Sequence, residues 1–197
     1  MNLPNKLTLL RVILVPVFMI FYLCTTGLGT WRFLIAAVIY IAAACTDFLD
    51  GKIARKYGLV TNLGKFLDPV ADKVMVMASL LCLCYENAHS LYGILLTFAT
   101  AVVILRELAV TSMRLVAASA DGSVIAAAML GKIKTTIQMV FVSVAILEPF
   151  IASLLADVTA VVVGLRVLLY VLLAAMVVMT VWSGMDYLVK YWKYIKE

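Results

Sequence analysis

Charge is scarce in this chain. Only 14% of its 197 residues are Asp, Glu, Lys or Arg, where soluble domains carry about 25%. Hydrophobic residues make up 65%, and the mean hydropathy is +1.11. A soluble core of this length cannot absorb that much apolar surface, so the expected solvent is lipid. Histidine is nearly missing, with His89 standing alone in a polar turn. The four cysteines (Cys24, Cys45, Cys82, Cys84) form no CxxC pair and sit within apolar segments. They read as small hydrophobes in packed helices, not as a zinc site or a disulfide frame. The first apolar segment is too long for a signal-peptide core and lacks a small-residue cleavage site, so no cleavable leader is expected.

The apolar sequence divides into six candidate spans. Met1–Leu10 reads as a short amphipathic lead-in, with Pro4 suited to a helix start. Span one is the uncharged run from Val12 to Thr30. Span two covers Trp31 to Phe48, and Gly51–Gly64 follows as a connecting loop or bent helix end. Span three runs from Asp68 to Tyr85, before a turn at Glu86–Ser90. Span four runs from Leu91 to Leu105 and continues past Arg106, Glu107 and Arg114, and Ala120–Ser123 breaks the chain. Span five starts near Lys132 and is closed by Glu148-Pro149; span six covers Val158 to Met185. The expected fold is an all-α integral membrane protein with six transmembrane helices, a short N-terminal amphipathic helix, and one membrane domain over residues 1–197.

The net charge of +5 superficially suggests a nucleic-acid partner. Its distribution removes that reading. With the N-terminus in the cytoplasm, 14 of the 16 lysines and arginines fall on the cytoplasmic side, and only Arg32 and Arg166 fall outside. That bias obeys the positive-inside rule and returns the C-terminus to the same side. Anionic lipid accounts for the excess charge. Tyr187, Tyr191, Trp192 and Tyr194 fit an interfacial aromatic belt.

Against this apolar background, Asp47, Asp50, Asp68 and Asp72 crowd into one stretch, Asp47-Phe-Leu-Asp50-Gly51-Lys-Ile-Ala54-Arg55 followed by Gly64-Lys-Phe-Leu-Asp68-Pro-Val-Ala-Asp72. On helices, Asp47 and Asp50 are i,i+3 neighbours and Asp68 and Asp72 are i,i+4 neighbours, so each pair shares a face. Gly51 and Ala54 leave that face open, and Arg55 adds a planar fork of donors. An ionised Asp in a span costs about 2.5–3.5 kcal/mol, so four need an offset. Two divalent cations would neutralise them. Oxygen ligands with no His or Cys nearby point to Mg²⁺, or Mn²⁺, in place of zinc. Two such ions about 3.5–4 Å apart form a clamp for in-line displacement at phosphorus. The bland alternative is an ion-pair network with Lys52, Arg55, Lys56 or Lys73. Charges drawn into several spans at one side also suggest a polar cavity open to the cytoplasm.

The full DxxDGxxARx₈GxxxDxxxD pattern resembles the signature of the CDP-alcohol phosphatidyltransferase family at every fixed position. The resemblance implies that Asp47, Asp50 and Asp68 bind the metals, and that Asp72 completes the cluster and serves as general base. It places Gly51, Ala54, Arg55 and Gly64 against a CDP-activated lipid, CDP-diacylglycerol, and it implies a homodimer.

The acceptor alcohol should be chosen by cations on the same side. Arg106 and Arg114 lie eight residues apart, nearly on one helical face, and Lys132 and Lys134 start span five. Positive-inside flanking charge is the plainer account of each pair. Together with Pro4-Asn5-Lys-Leu-Thr8-Leu-Leu-Arg11, these segments resemble family members that use glycerol 3-phosphate. That resemblance implies that Arg106, Arg114, Lys132 and Lys134 hold the acceptor phosphate, with Asn5 and Thr8 near the nucleotide. Inositol phosphate, serine or phosphatidylglycerol are the alternative acceptors. An ion or metal transporter is the alternative class, but transporters favour paired repeats and midplane sites, and the second half holds no matching acidic motif.

Overall fold

The computed structural model describes residues 3–25, 27–57, 62–121 and 129–192, with side chains for 5–25, 27–46, 70–114, 116, 129–190 and 192. Six helices follow in order among the described residues: α1 (Leu3–Leu23), α2 (Trp31–Tyr57), α3 (Asn62–Glu86), α4 (Leu91–Asp121), α5 (Met129–Leu154) and α6 (Thr159–Tyr191). Among the described residues there is no strand. Four stretches of the described residues are long and apolar enough to cross a membrane: Asn5–Leu23, Leu91–Arg114, Met129–Leu154 and Thr159–Lys190. A shorter apolar helix, Trp31–Thr46, accompanies them. Helices are the natural form for such segments, because each backbone N–H and C=O is satisfied within the segment. Hydroxyls follow suit: Ser79, Thr97, Thr135 and Thr180 each donate to the carbonyl four residues earlier.

α1 packs against α2 and α3, α2 and α3 against α5, α3 against α4, and both α4 and α5 against α6. The face that α1 buries runs Asn5, Thr8, Arg11, Val15, Phe18 and Tyr22. Their spacing of three and four residues is the stripe of a packed helix. The lower half of this stripe is polar and the upper half apolar. Tyr22 meets Phe33 edge-on at 5.4 Å, and Phe18 meets Tyr40 at 6.1 Å. A fully buried hydrophobic centre of Ala36, Leu80, Leu96, Val103, Phe141, Ile146 and Met176 ties the remaining helices together.

Several boundaries differ from the sequence expectation. The N-terminal segment is not a separate amphipathic helix: it is the first part of α1, which continues unbroken to Leu23. α2 continues through Gly51, Ala54 and Arg55 to Tyr57, where a loop or bend is expected. One glycine costs a helix only about 1 kcal/mol, and the surrounding Lys, Ala and Arg are good helix formers. α5 passes through Glu148-Pro149 to Leu154. Packing overrides the proline there, with Phe150 buried and its ring 5.2 Å from Trp31.

α1 ends at Leu23, short of Thr30, and the turn at 87–90 falls where the sequence puts it. Between α1 and α2, Gly27 (φ 85°) and Gly29 (φ 53°) take left-handed conformations that side chains disfavour. At the 87–90 turn, the Gly93 N–H donates to Ser90 Oγ at 3.0 Å, so Ser90 caps α4. A Cβ on Gly93 would lie 1.8 Å from the Asn87 carbonyl oxygen, which explains glycine there. Arg32, expected as an outer flanking charge, clasps this end of the bundle. It donates to the Tyr22 carbonyl at 2.6 Å and to Glu86 at 2.5 Å, joining α1, α2 and α3.

Candidate active site

The carboxylates come from two helices. Asp47 and Asp50 lie on α2 and Asp68 and Asp72 on α3, at the spacings that give each pair one helical face. Gly51, Ala54 and Arg55 follow on α2, and Gly64 sits in the first turn of α3. The side chains of all these except Asp72 lie outside the described residues. Among the described residues, no three His, Cys, Asp or Glu side chains converge.

α1 contributes the polar half of its stripe. Leu14 lines a gap with Ala43 and Met75, as Phe18 does with Tyr40. The contacts Tyr22–Phe33 and Phe18–Tyr40 make α1 and α2 antiparallel, so Arg11, Thr8 and Asn5 lie toward the end of α2 that carries Asp47 and Asp50. Asn5 and Thr8 are buried. Arg11 is buried too, with only 1% of its surface exposed. Its sequence position suggested flanking charge, but a guanidinium this deep demands anionic company.

Asp72 is half-buried and lines a narrow cavity with Lys73, Glu107, Lys134, Thr135 and Gln138, together with Val76, Met77 and Val103. The cavity, about 20 Å³, holds little more than one water. Lys134 is almost fully enclosed and donates to Glu107 at 2.5 Å; Arg106 donates to the same carboxylate oxygen at 3.0 Å. Lys73 donates to Thr111, whose hydroxyl donates to the Glu107 carbonyl at 2.7 Å. One carboxylate thus gathers two of the four expected acceptor cations beside Asp72. Gln138, one turn beyond Lys134 on the same face, is buried, and its Nε2 has no hydrogen-bond partner among the described residues. A buried amide donor without a partner costs about 1–3 kcal/mol, so it marks a place where a ligand oxygen fits.

Tyr187 of α6 brings in the third cation. Arg114 donates to its hydroxyl at 2.7 Å, and the Arg114 and Arg106 guanidinium carbons lie 5.2 and 5.7 Å from its ring centre. Both distances suit cation–π attraction. Gly184, one turn earlier on α6, lets Arg106 pass: a Cβ there would meet Arg106 Cγ at 3.2 Å. Lys132 is exposed and two residues from Lys134, hence on another side of α5. It is not drawn into the Glu107 network.

Arg106 and Lys134 therefore meet at Glu107, and Arg106 and Arg114 at Tyr187, while Lys132 stands apart. From the sequence, Glu107 and Gln138 have no role, whereas Tyr187 falls in an interfacial aromatic belt and Arg11 among the flanking charges; both of the latter are instead buried in the bundle. Glu107 alone left a signal, as an acid interrupting an apolar helix. The candidate site combines an oxygen-only donor set, two carboxylate pairs on α2 and α3, with cations of which Lys134 is buried, Arg106 half-buried and Arg114 exposed. Such a donor set suits a hard divalent cation, and such cations suit a phosphate.

Comparison with known proteins agrees with this chemistry. The family model described as CDP-alcohol phosphatidyltransferase matches residues 1–182. A CDP-diacylglycerol–glycerol-3-phosphate 3-phosphatidyltransferase of Bacillus subtilis is 40% identical, the match covering 99% of this chain and 97% of the relative. Enzymes of the same name from Yersinia enterocolitica and Escherichia coli K12 are each 37% identical, over 100% and 95% of this chain and 98% and 93% of their own. By residues, architecture and relationship, the chain belongs to the CDP-alcohol phosphatidyltransferase family.

Proposed function

We propose that this protein transfers the phosphatidyl group of CDP-diacylglycerol to glycerol 3-phosphate, giving phosphatidylglycerophosphate and CMP. The observation that carries the choice of acceptor is the gathering of Lys134 and Arg106 on Glu107, which shares a cavity with Asp72, and of Arg114 with Arg106 at Tyr187. Serine would need no such concentration of positive charge. The full-length similarity to relatives of that name supports the same acceptor.

Asp47, Asp50, Asp68 and Asp72 would hold two Mg²⁺ (or Mn²⁺) ions, which when bound would stabilise negative charge on the diphosphate. The chain's own residues do the rest. Gly51, Ala54 and Gly64 let the diphosphate approach the helices closely, and Arg55 binds it. Asn5 and Thr8, buried on α1, hydrogen-bond the nucleotide end. Arg106, Arg114 and Lys134 hold the acceptor phosphate, with Lys132 at the rim. Gln138 Nε2 donates to an acceptor oxygen. Asp72 takes the proton of the acceptor hydroxyl, whose oxygen bonds to the lipid-side phosphorus as the bond to CMP breaks.

The proposed topology has six spans, with both termini and the active site on the cytoplasmic side and the whole chain forming one catalytic membrane domain. The placement of 14 of the 16 cations supports it. A homodimer is adopted from the family resemblance. The test is direct: purified protein with Mg²⁺, CDP-diacylglycerol and glycerol 3-phosphate should release CMP and form phosphatidylglycerophosphate. Absence of CMP release with any alcohol would sink the enzyme reading. Release with inositol phosphate or serine alone would sink the acceptor.

A further inference from the structure

The opposite end of the bundle holds a second polar cavity, about 210 Å³, at the meeting of the 87–90 turn with α4, α5 and α6. Asn87 on its wall lies 15 residues along the chain from Asp72, about 22 Å by helical rise, so it is no extension of the candidate active site. Its size exceeds by an order of magnitude the roughly 10–15 Å³ that one water needs. The wall carries one charge of each sign. Glu148 is half-buried, and Arg166, 72% exposed, reaches it at only 3.9 Å. That separation is too long for a hydrogen bond, so each charge keeps capacity for another partner. Tyr92 and Tyr170 stand edge to face, with ring centres 5.4 Å apart. The Tyr92 hydroxyl is buried and has no hydrogen-bond partner among the described residues.

We propose that this cavity binds the headgroup of a zwitterionic phospholipid carrying a primary ammonium. The ammonium sits between Glu148 and the tyrosine rings, and the phosphodiester bonds Arg166 and the Tyr92 hydroxyl. A zwitterion satisfies both charges at once, whereas a simple anion leaves Glu148 repelling it. A primary ammonium offers three N–H donors to the carboxylate. A quaternary one offers none and prefers a full aromatic cage, which two tyrosines at right angles do not form. The cavity opens at the ends of helices long and apolar enough to cross a membrane, the level at which headgroups are expected, and Leu91 and Leu169 add apolar wall to it. A lipid source follows from that placement.

Native mass spectrometry of the full chain, delipidated in detergent, reads the site independently of catalysis. The protein is offered equimolar ethanolamine, choline and glycerol phospholipids with identical acyl chains. The expected result is one ethanolamine lipid retained at least about tenfold over the other two, the size of one charge-assisted hydrogen bond. Glu148→Gln should erase the preference, and Tyr92→Phe should weaken retention about tenfold. Lys190→Gln, at the other end of the bundle, should change nothing. Equal retention of the three lipids, or an unaltered preference in both Glu148→Gln and Tyr92→Phe, overturns the site; Tyr92→Phe serves alone if the Glu148 variant fails to purify. Displacement of the lipid by an equal concentration of glycerophosphoethanolamine would assign the cavity to a soluble headgroup and overturn the lipid.

Discussion

Glu107 and Lys134 make opposite predictions for stability and catalysis. Glu107 accepts from both Lys134 and Arg106, and the three side chains are only 15%, 4% and 12% exposed. Glu107→Gln leaves two enclosed cations without their anion, a change that costs about 3–5 kcal/mol in buried pairs. Lys134→Met leaves Glu107 paired with Arg106 and fills the space with a flexible apolar chain, so its cost should be about 1 kcal/mol or less. Glu107→Gln should therefore lower the thermal inactivation midpoint in detergent by on the order of 10 °C, taking about 2–4 °C per kcal/mol. Lys134→Met should shift it little. The double variant should recover most of the Glu107→Gln loss, because the surplus cation goes too. Kinetics should show the reverse ranking for the acceptor. Losing one charge-assisted hydrogen bond to phosphate costs about 1.5–3 kcal/mol, or roughly a 10- to 150-fold rise in KM for glycerol 3-phosphate at 1.4 kcal/mol per decade. KM for CDP-diacylglycerol should hold. Lys134→Met with an acceptor KM within twofold of the parent would refute the phosphate role. Glu107→Gln as stable as Lys134→Met would refute the charge accounting.

Other residues make separate predictions. Asp72→Asn should lower kcat at least a hundredfold, the lower bound for loss of a general base, with CDP-lipid binding retained; a near-normal rate removes Asp72 from that role. Gln138→Leu should gain about 1 kcal/mol of stability, since it deletes an unsatisfied buried donor, yet lose activity; unchanged kcat/KM would show that Gln138 never meets substrate. Tyr187→Phe removes the hydroxyl that holds Arg114 but keeps the ring, so acceptor KM should rise several-fold with kcat preserved; equal loss in both would point to misfolding. Chelation by EDTA should abolish CMP release, and added Mg²⁺ should restore it; activity that survives dialysis against chelator would remove the ions from the reaction.

Much of the architecture was legible because lipid imposes length and apolarity on each segment. The turn at 87–90 and the starts of α2 and α4 fall where the sequence puts them. Pro149 misled because a proline weakens a helix locally, while the contact that outweighs it, Phe150 on Trp31, comes from more than 100 residues away. The carboxylate pattern was legible because its spacing is short and helical. The groups around it were not, because Glu107, Gln138 and Tyr187 acquire meaning only when α4, α5 and α6 meet. Arg11 shows the same limit: a cation at the foot of an apolar run resembles every other positive-inside residue until the burial of its face is known.

The two-part stripe on α1 also bears on how the protein is made. Helices leave the translocation machinery in chain order, and α1 emerges carrying Asn5, Thr8 and Arg11 on a face that lipid cannot satisfy. Its partners are α2 and α3. A nascent chain therefore gains by holding α1 near the exit until α3 is released, when the first three helices can lock with Arg32 bridging Tyr22 and Glu86. That unit already contains all four aspartates. The cations proposed to hold the acceptor phosphate arrive with α4 and α5, so the helices proposed to activate the CDP-lipid are assembled before those proposed to select the alcohol.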